Sequence, residues 1–226
     1  MDLIAASKLQ KDYRTQAGIT AVLKGVDLRI GAGEFLGIVG PSGSGKSTLL
    51  YVLSGLEPAT AGTVSLFGKT IGEMKDHEIA DLRKHKLGFV FQFYNLLPNL
   101  TVLENVELPL VIAGKSDLAK AKTALGLIGL KDADALYPAQ LSGGMQQRVA
   151  IARAMVNDPK IVFADEPTGN LDQKSGREIM GILKKLNQET GVTIVLVTHN
   201  LEHLAYCTRK LELIDGKIGN DETLGV

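Results

Sequence analysis

The chain has 226 residues, enough for one large domain or two small ones, and 45% of them are apolar, as in an ordinary globular protein. Lys and Arg number 25, as do Asp and Glu, so the formal charge is zero and a broad basic face for nucleic acid is not expected. The single cysteine, Cys207, excludes an internal disulfide and favours a reducing compartment. The sequence has neither a secretory signal pattern nor an apolar run of eighteen residues, so we expect neither secretion nor a membrane crossing.

Residues 3–30 predict antiparallel strands with one buried face, because short stretches of alternating apolar and polar residues lie on both sides of a turn near Gly18. Tyr13 lies in the first of these stretches. It could be a core or edge aromatic, or it could stack on a flat base, which is worth about 1 kcal/mol or more in other proteins. The residues alone leave both interpretations open.

A glycine-rich stretch follows the apolar run Phe35–Val39, which predicts a buried strand, and leads into a predicted helix. It consists of Gly40, Pro41, Ser42, Gly43, Ser44, Gly45, Lys46, Ser47 and Thr48. Strand, glycine loop and helix form the context of a phosphate-binding loop, in which backbone N–H groups and the helix N-terminus face a polyphosphate. Lys46 would supply a mobile charge for the outer phosphates, and the Ser47 hydroxyl would ligate Mg²⁺. A chance glycine-rich turn is the alternative, and the flanking strand and helix weigh against it.

The next predicted elements are a strand at 62–66, a polar helix at 76–85 and a buried strand at 87–91 that ends in Gln92. From Phe93 the pattern changes, and helices are predicted from 103 to about 110 and from 116 to 128. Residues 93 to about 158 therefore predict a mainly helical insertion in an α/β core.

Within this insertion, Ser142 is a good N-cap for a helix, with Gly143 and Gly144 directly behind it. The simple interpretation is a well-capped helix. The alternative is an anion site, because two glycines at a helix N-terminus leave backbone donors uncovered.

The core then resumes with an apolar strand that ends in Asp165 and Glu166. Two adjacent acids can be a solvated strand end, but a phosphate loop in the same sheet favours chemistry. Asp165 can hold Mg²⁺ through water, and Glu166 can orient and deprotonate the attacking water. Asp172 is predicted near the start of the next helix, and the strand at 193–198 ends at His199.

Two further stretches match known motifs in sequence but not in their expected structural or cellular context. His199 to His203 spell H-x-x-E-H, but zinc proteases carry this pair within a long helix, and here the first histidine lies at the mouth of a strand. Asn99-Leu100-Thr101 is a glycosylation sequon in a chain that nothing directs to a secretory lumen. We expect neither zinc nor a glycan.

Taken together, these motifs resemble those of the ATP-binding cassette ATPases, and the resemblance extends from about Leu3 to Gly219. The combination of Leu-Ser-Gly-Gly-x-Gln with a phosphate loop is very specific to that family. Further stretches resemble the branch that serves lipoprotein release, macrolide export and bacterial cell division. The motifs, in the family's order, are the phosphate loop, Gln92, 141–146, 161–166, 170–172 and His199, and the branch-specific stretches are 91–98, 103–106 and 165–172.

The resemblance implies an α/β fold: a P-loop NTPase (RecA-like) core with an antiparallel β-subdomain and a helical subdomain. About 1–92 and 159–226 would form the core lobe of this single cassette domain, and about 93–158 the helical lobe. Tyr13 would stack on the adenine of ATP, and Gly40 to Thr48 would hold its triphosphate. The implied catalytic residues are Lys46, Gln92, Glu166 and His199, and the implied Mg²⁺ ligands are Ser47, Gln92 and Asp165.

The resemblance also implies that Gln92 senses the metal and the attacking water while linking to the helical lobe. Ser142, Gly143 and Gly144 would cap the γ-phosphate bound by a second copy of the chain. His199 would contact that phosphate, and Asp172 would lie at the dimer seam.

The expected function is that of an ATPase subunit that works as a head-to-tail dimer and drives a separate membrane permease from the cytoplasmic face. The apolar stretch from Phe93 to Leu103 is either the dock for a permease helix or interior packing of the helical lobe. The alternatives are an ATP switch acting on nucleic acid and a cell-division ATPase that carries no substrate. The sequence lacks the long coiled-coil insertion of repair members and a basic surplus, so nucleic acid is not expected.

Overall fold

The computed structural model describes residues 2–16 and 18–225. The chain forms two compact units, one of residues 1–79 and 193–226 and the other of residues 80–192. Within the described part of the chain, no helix is long and apolar enough to span a membrane.

The strands are β1 (Asp2–Thr15), β2 (Gly18–Gly31), β3 (Phe35–Val39), β4 (Ala61–Leu66), β5 (Lys69–Thr70), β6 (Leu87–Phe91), β7 (Ile161–Asp165), β8 (Thr193–Val197), β9 (Arg209–Ile214) and β10 (Lys217–Thr223). The α-helices are α1 (Lys46–Leu53), α2 (Asp76–Lys86), α3 (Val102–Ile112), α4 (Leu118–Leu127), α5 (Gly143–Met155) and α6 (Gln173–Thr190).

The first unit contains an antiparallel sheet in the order β2-β1-β4-β5. Thr15 pairs with Gly18 at the end of the β1–β2 hairpin, which confirms the predicted turn near Gly18. Apolar residues of one face are buried, as the alternation predicts. These residues are Ile4, Leu9, Leu23, Val26, Leu28 and Ile30.

The same unit contains a second group of strands in the order β10-β9-β3-β8, in which β3 is parallel to β8 and to β9. Every residue of β3 and β8 is buried, as expected for central parallel strands that are covered on both faces. Because Ile38 is in register with Val197, the two strands end at the same edge. This edge carries the glycine-rich loop after β3 and His199 after β8.

The second unit contains the parallel pair β6–β7 and the helices α3 to α6. Each of these helices begins at a side chain that accepts a hydrogen bond from the first turn: Thr101, Asp117, Ser142 and Asp172. The caps also explain where the predicted bounds were wrong. Thr101 and Glu104 form a capping box that starts α3 at Val102, one residue earlier than predicted, and Asp117 starts α4 two residues later.

Candidate nucleotide-binding site

The loop between β3 and α1 depends on its glycines. Gly40, Gly43 and Gly45 all have positive φ angles, of 147°, 77° and 98°. A Cβ on Gly40 would lie 2.0 Å from the carbonyl oxygen of Leu213 in β9, and one on Gly45 would lie 3.1 Å from the carbonyl oxygen of Val22. Real Cβ atoms essentially never approach as close as 2.0 Å, so only glycine fits at position 40, whereas the approach at Gly45 is tight and its positive φ adds to the preference for glycine.

Lys46 is held against its own loop. Its Nζ donates to the carbonyl oxygen of Gly40 at 2.9 Å and to that of Pro41 at 2.8 Å, and the residue is only 8% exposed. An ammonium group has three donors, so the loop fixes the group without using all of them. A positive charge that is largely removed from water attracts a nearby phosphate more strongly than an exposed one would.

Two further features of the loop fit a polyphosphate. The Ser44 hydroxyl oxygen is buried and has no hydrogen-bond partner among the described residues. Helix α1 begins without a side-chain cap and has no acidic residue in its first turn. A buried unpartnered hydroxyl costs about 1–3 kcal/mol, and an uncapped helix N-terminus attracts anions. A bound triphosphate would satisfy both, so the residues present fit ATP.

Tyr13 of β1 lies beside the end of this loop. Its hydroxyl donates to Glu57 Oε2 at 2.5 Å and also hydrogen-bonds with the side chain of Thr48, the last loop residue. Burial, and next the hydrogen bond to Glu57, raises the pKa of Tyr13, so the phenol keeps its proton. The first unit therefore brings together the aromatic and the loop that the sequence assigned to one nucleotide.

His199 is exposed and follows β8 by two residues. The turn that carries it is fixed by Thr198, whose hydroxyl accepts from the Asn200 N–H at 3.1 Å and lies 2.9 Å from Nδ1 of the buried His203. Burial, and next the charge of His199, lowers the pKa of His203. The H-x-x-E-H letters thus lie on a turn and a short 3-10 helix, Leu201–Tyr206, which differs from the long helix of zinc proteases.

The second unit places Gln92 and the two acids at one sheet edge, because Phe91 of β6 is in register with Asp165 of β7. The Gln92 Nε2 donates to Asn170 Oδ1 at 3.3 Å, and the Asn170 Nδ2 donates to the Gln92 carbonyl oxygen at 3.1 Å. A Cβ on Gly169 would lie 2.8 Å from Gln92 Nε2. Gln92 is therefore held closely against the turn that follows Glu166.

Glu166 has a left-handed backbone conformation, with φ of 46°, and its carbonyl oxygen accepts from the Gly169 N–H at 3.0 Å. This conformation costs a residue with a side chain about 1–2 kcal/mol. Such strain is concentrated at functional sites, where the surrounding structure imposes it. Asp165, the last residue of β7, is buried beside it.

The N-termini of α5 and α6 lie side by side. A Cβ on Gly143 would lie 3.3 Å from Leu171 Cδ2, and one on Gly144 would lie 3.3 Å from the Ser175 hydroxyl oxygen. Ser142, the N-cap of α5, is exposed and accepts from the Met145 N–H. The predicted N-cap role of Ser142 is confirmed.

Asp172 is the N-cap of α6 and accepts from the N–H groups of Lys174 and Ser175 at 2.9 and 3.0 Å and from the Ser175 hydroxyl at 2.6 Å. The side-chain bond to Ser175, followed by its backbone bond, lowers the pKa of Asp172. Because Ser175 also contacts Gly144, this unit brings Asp172 and the Ser142–Gly144 tip together.

The predicted residues are thus divided between the two units. The first unit holds Tyr13, the loop from Gly40 to Thr48, and His199; the second holds Gln92, Ser142, Gly143, Gly144, Asp165, Glu166 and Asp172.

Sequence reasoning missed Lys11 and Glu57, which contact Tyr13. Lys11 is two positions from Tyr13 in a strand, which was an available signal. No local sequence pattern indicated Glu57, because it lies 44 residues from Tyr13.

Comparison with known proteins assigns the family. The ABC transporter family matches residues 23–169. The lipoprotein-releasing system ATP-binding protein LolD of Geobacter metallireducens is 45% identical over 222 residues, covering 97% of this chain and 99% of that protein. The macrolide export ATP-binding/permease protein MacB of Shigella flexneri is 46% identical over 219 residues, which cover 96% of this chain but 34% of that protein.

A solved structure agrees with these relatives over nearly the whole chain. The ATP-binding cassette MJ0796 of Methanocaldococcus jannaschii, a dimeric post-hydrolysis state bound to ADP and Pi, matches with a TM-score of 0.90 and 42% identity, covering 99% of both chains. The predicted P-loop NTPase fold and the predicted resemblance to the LolD and MacB branch are confirmed. The chain belongs to the ABC transporter family, in which it is an ATP-binding subunit with ATPase activity.

Proposed function

We propose that the chain binds MgATP on the loop from Gly40 to Thr48, with adenine stacked on Tyr13. The observation that carries this proposal is the loop itself, which combines a buried Lys46 ammonium, an unpartnered Ser44 hydroxyl and an uncapped helix N-terminus. Ser47, Gln92 and Asp165 would hold Mg²⁺, which neutralises phosphate charge when bound.

Hydrolysis also needs a general base for the attacking water and a group that contacts the γ-phosphate. Glu166 would orient and deprotonate the attacking water, and the strained backbone at this residue supports a functional role. Gln92, held by Asn170, would position the same water, and His199 would contact the γ-phosphate.

We further propose that a second copy of the chain completes each site. Ser142 is exposed at the N-terminus of α5, Gly143 and Gly144 are half-buried behind it, and Asp172 lies beside them. Such a helix tip suits the γ-phosphate of a nucleotide bound by the other copy. The dimeric state of MJ0796 supports a dimer, and the head-to-tail arrangement is part of the proposal. ATP binding would close the dimer, and hydrolysis would open it.

Ser142→Arg tests the shared site, because Ser142 is exposed and the new side chain would block the tip without disturbing the core. In a Glu166→Gln background we expect Ser142→Arg to bind ATP as a monomer, measured by light scattering and nucleotide titration. Thr63→Arg, at an exposed position of β4, is the matched control and should dimerise. Dimerisation of the Glu166→Gln/Ser142→Arg chain with ATP, or hydrolysis at the normal rate by Ser142→Arg with Glu166 intact, would contradict the shared site.

We propose that the helical lobe of about 93–158 docks on an integral membrane permease, which would hold the subunit at the inner face of the membrane. Phe93 and Leu97 are 73% and 42% exposed, which supports a docking surface, whereas Val102 is 0% exposed and belongs to the interior. The names of the relatives, lipoprotein release and macrolide export, support a transporter.

The docking surface is tested with Phe93→Asp/Leu97→Asp, which should abolish co-purification of an integral membrane protein from membranes. Ile19→Asp, at a position that is 67% exposed on β2, is the matched control and should retain it. Unchanged capture by the double variant would contradict this surface. Capture of nucleic acid, or of a division protein without transport activity, would instead support one of the alternative functions.

A further inference from the structure

Tyr13 forms a cluster of three side chains with Lys11 and Glu57, and these two residues have no part in the proposed chemistry. Any role for these two residues rests on the proposed function, in which the base of ATP stacks on Tyr13. A stacking platform is useful only if its orientation is fixed before the base arrives, so the ring must be held in place.

Glu57 connects the other two members. Its Oε2 accepts from the Tyr13 hydroxyl at 2.5 Å and lies 3.3 Å from the Lys11 Nζ. The Lys11 ammonium lies 4.9 Å from the centroid of the Tyr13 ring and also donates to the Pro58 carbonyl oxygen at 2.9 Å. The ring is thus held at its hydroxyl by a carboxylate and on one face by a cation.

The burial of these charges indicates that the arrangement is not an ordinary surface ion pair. The Lys11 side chain is only 11% exposed and that of Glu57 32% exposed. A lysine this far out of water needs its partners, because removing one leaves a largely buried charge uncompensated. The cation–π contact also strengthens when the cation is desolvated. Lys11 and Glu57 therefore interact with the Tyr13 side chain and with each other more than with solvent.

The position of the ring links the cluster to the nucleotide. The Tyr13 hydroxyl also bonds with the Thr48 side chain, so the platform is tied to the last residue of the phosphate loop. Tyr13 itself is half-buried, and since Lys11 lies over one face of the ring, a planar ligand that stacks on the ring would use the opposite face. A base stacked there would be joined to phosphates on the adjoining loop.

We propose that Lys11 and Glu57 are positioning residues for the nucleobase: they fix the Tyr13 ring so that its face opposite Lys11 stacks on the base of ATP. The cluster acts on the base and not on the phosphates. The cluster therefore contributes to the difference between the affinity of the chain for ATP and its affinity for inorganic tripolyphosphate, which has the phosphates but no base.

The test measures the dissociation constants of the full chain for ATP and for inorganic tripolyphosphate by calorimetry, each with Mg²⁺. Tyr13→Ala should weaken ATP binding about 5- to 150-fold, the range for loss of one stacked base. Glu57→Gln and Lys11→Met should each weaken it about 3- to 10-fold, comparable to loss of one fixing hydrogen bond. Tripolyphosphate binding should be unchanged in all three, which also shows that the loop remains folded.

Tyr13→Phe separates positioning from general stability, because it keeps the ring and removes the hydroxyl that Glu57 holds. If Glu57 acts through that hydroxyl, Tyr13→Phe/Glu57→Gln should be no weaker for ATP than Tyr13→Phe alone. Glu73→Gln, at an exposed glutamate of the same unit, is the matched control and should leave both affinities unchanged.

The outcomes separate the positioning role from base stacking itself. A wild-type chain that binds ATP no more tightly than tripolyphosphate would overturn base stacking at Tyr13 altogether. A wild-type chain that prefers ATP, with Glu57→Gln and Lys11→Met retaining the full preference, would overturn the positioning role alone. Equal losses for ATP and tripolyphosphate would also overturn it, since they would show damage to the loop.

Discussion

Replacing Glu166 by glycine should remove most of the turnover while leaving the fold about as stable as before. At φ of 46°, a residue with a side chain is strained by about 1–2 kcal/mol, and glycine is not. Glycine loses about 0.5–1 kcal/mol more backbone entropy on folding, which offsets most of the relieved strain. These terms nearly cancel, so we expect the free energy of unfolding to stay within about 1 kcal/mol of the wild type, a shift of at most about 4 °C in Tm.

The chemistry should respond very differently, because loss of a general base slows turnover about 10²- to 10⁴-fold. The assay is phosphate release at saturating MgATP for Glu166→Gly and Glu166→Gln, with thermal unfolding measured on the same samples. Asp158→Gly is the matched control, since Asp158 has φ of 51° in the same unit, and it should keep normal turnover. Wild-type turnover in both Glu166 variants would refute its role as the base.

Three further perturbations address the loop and the helix tip, and a fourth substitution, Gly68→Ala, is the matched control for one of them. Lys46→Ala should weaken ATP binding about 10- to 150-fold in calorimetry, the worth of its charged hydrogen bonds; unchanged affinity would exclude a phosphate role. Gly40→Ala, whose Cβ meets Leu213, should destabilise the chain by about 2–4 kcal/mol in denaturant and abolish ATP binding. Gly68→Ala, where φ is positive but the space is open, should cost about 1–2 kcal/mol and keep ATP binding; equal effects would contradict the packing argument. Asp172→Ala should lower Tm at neutral pH. Because the pKa of the folded Asp172 carboxyl lies below its ordinary value of 3.8, its contribution is present above the unfolded pKa and lost as the pH falls through the folded pKa. The Tm difference from wild type should therefore shrink below about pH 4, and a constant difference would argue against this linkage.

The parts of the fold that the sequence predicts well are governed by local rules. Strands β3 and β8 are continuous apolar runs because both faces of a central parallel strand are buried, so composition alone identifies them. Ser142 and Asp172 were predicted at helix starts because an N-cap needs only a short polar side chain and the next three residues.

The parts that could not be predicted depend on contacts between distant residues or on backbone detail. Glu57 supports Tyr13 from 44 positions away, and no local pattern records that contact. Between Phe93 and Leu103 the apolar residues have no clear period, so exposed Phe93 could not be distinguished from buried Val102. The left-handed backbone of Glu166 is imposed by its surroundings, since its own side chain disfavours it.

In the proposed dimer, one ATP is enclosed by the loop of one copy and the Ser142–Gly144 tip of another. The most direct measurement is a crystal structure of Glu166→Gln with MgATP, supported by its mass in solution under the same conditions. We expect a dimer with two nucleotides, in which each γ-phosphate contacts the tip of the opposite copy. A monomer whose bound ATP leaves the γ-phosphate open to solvent would contradict it.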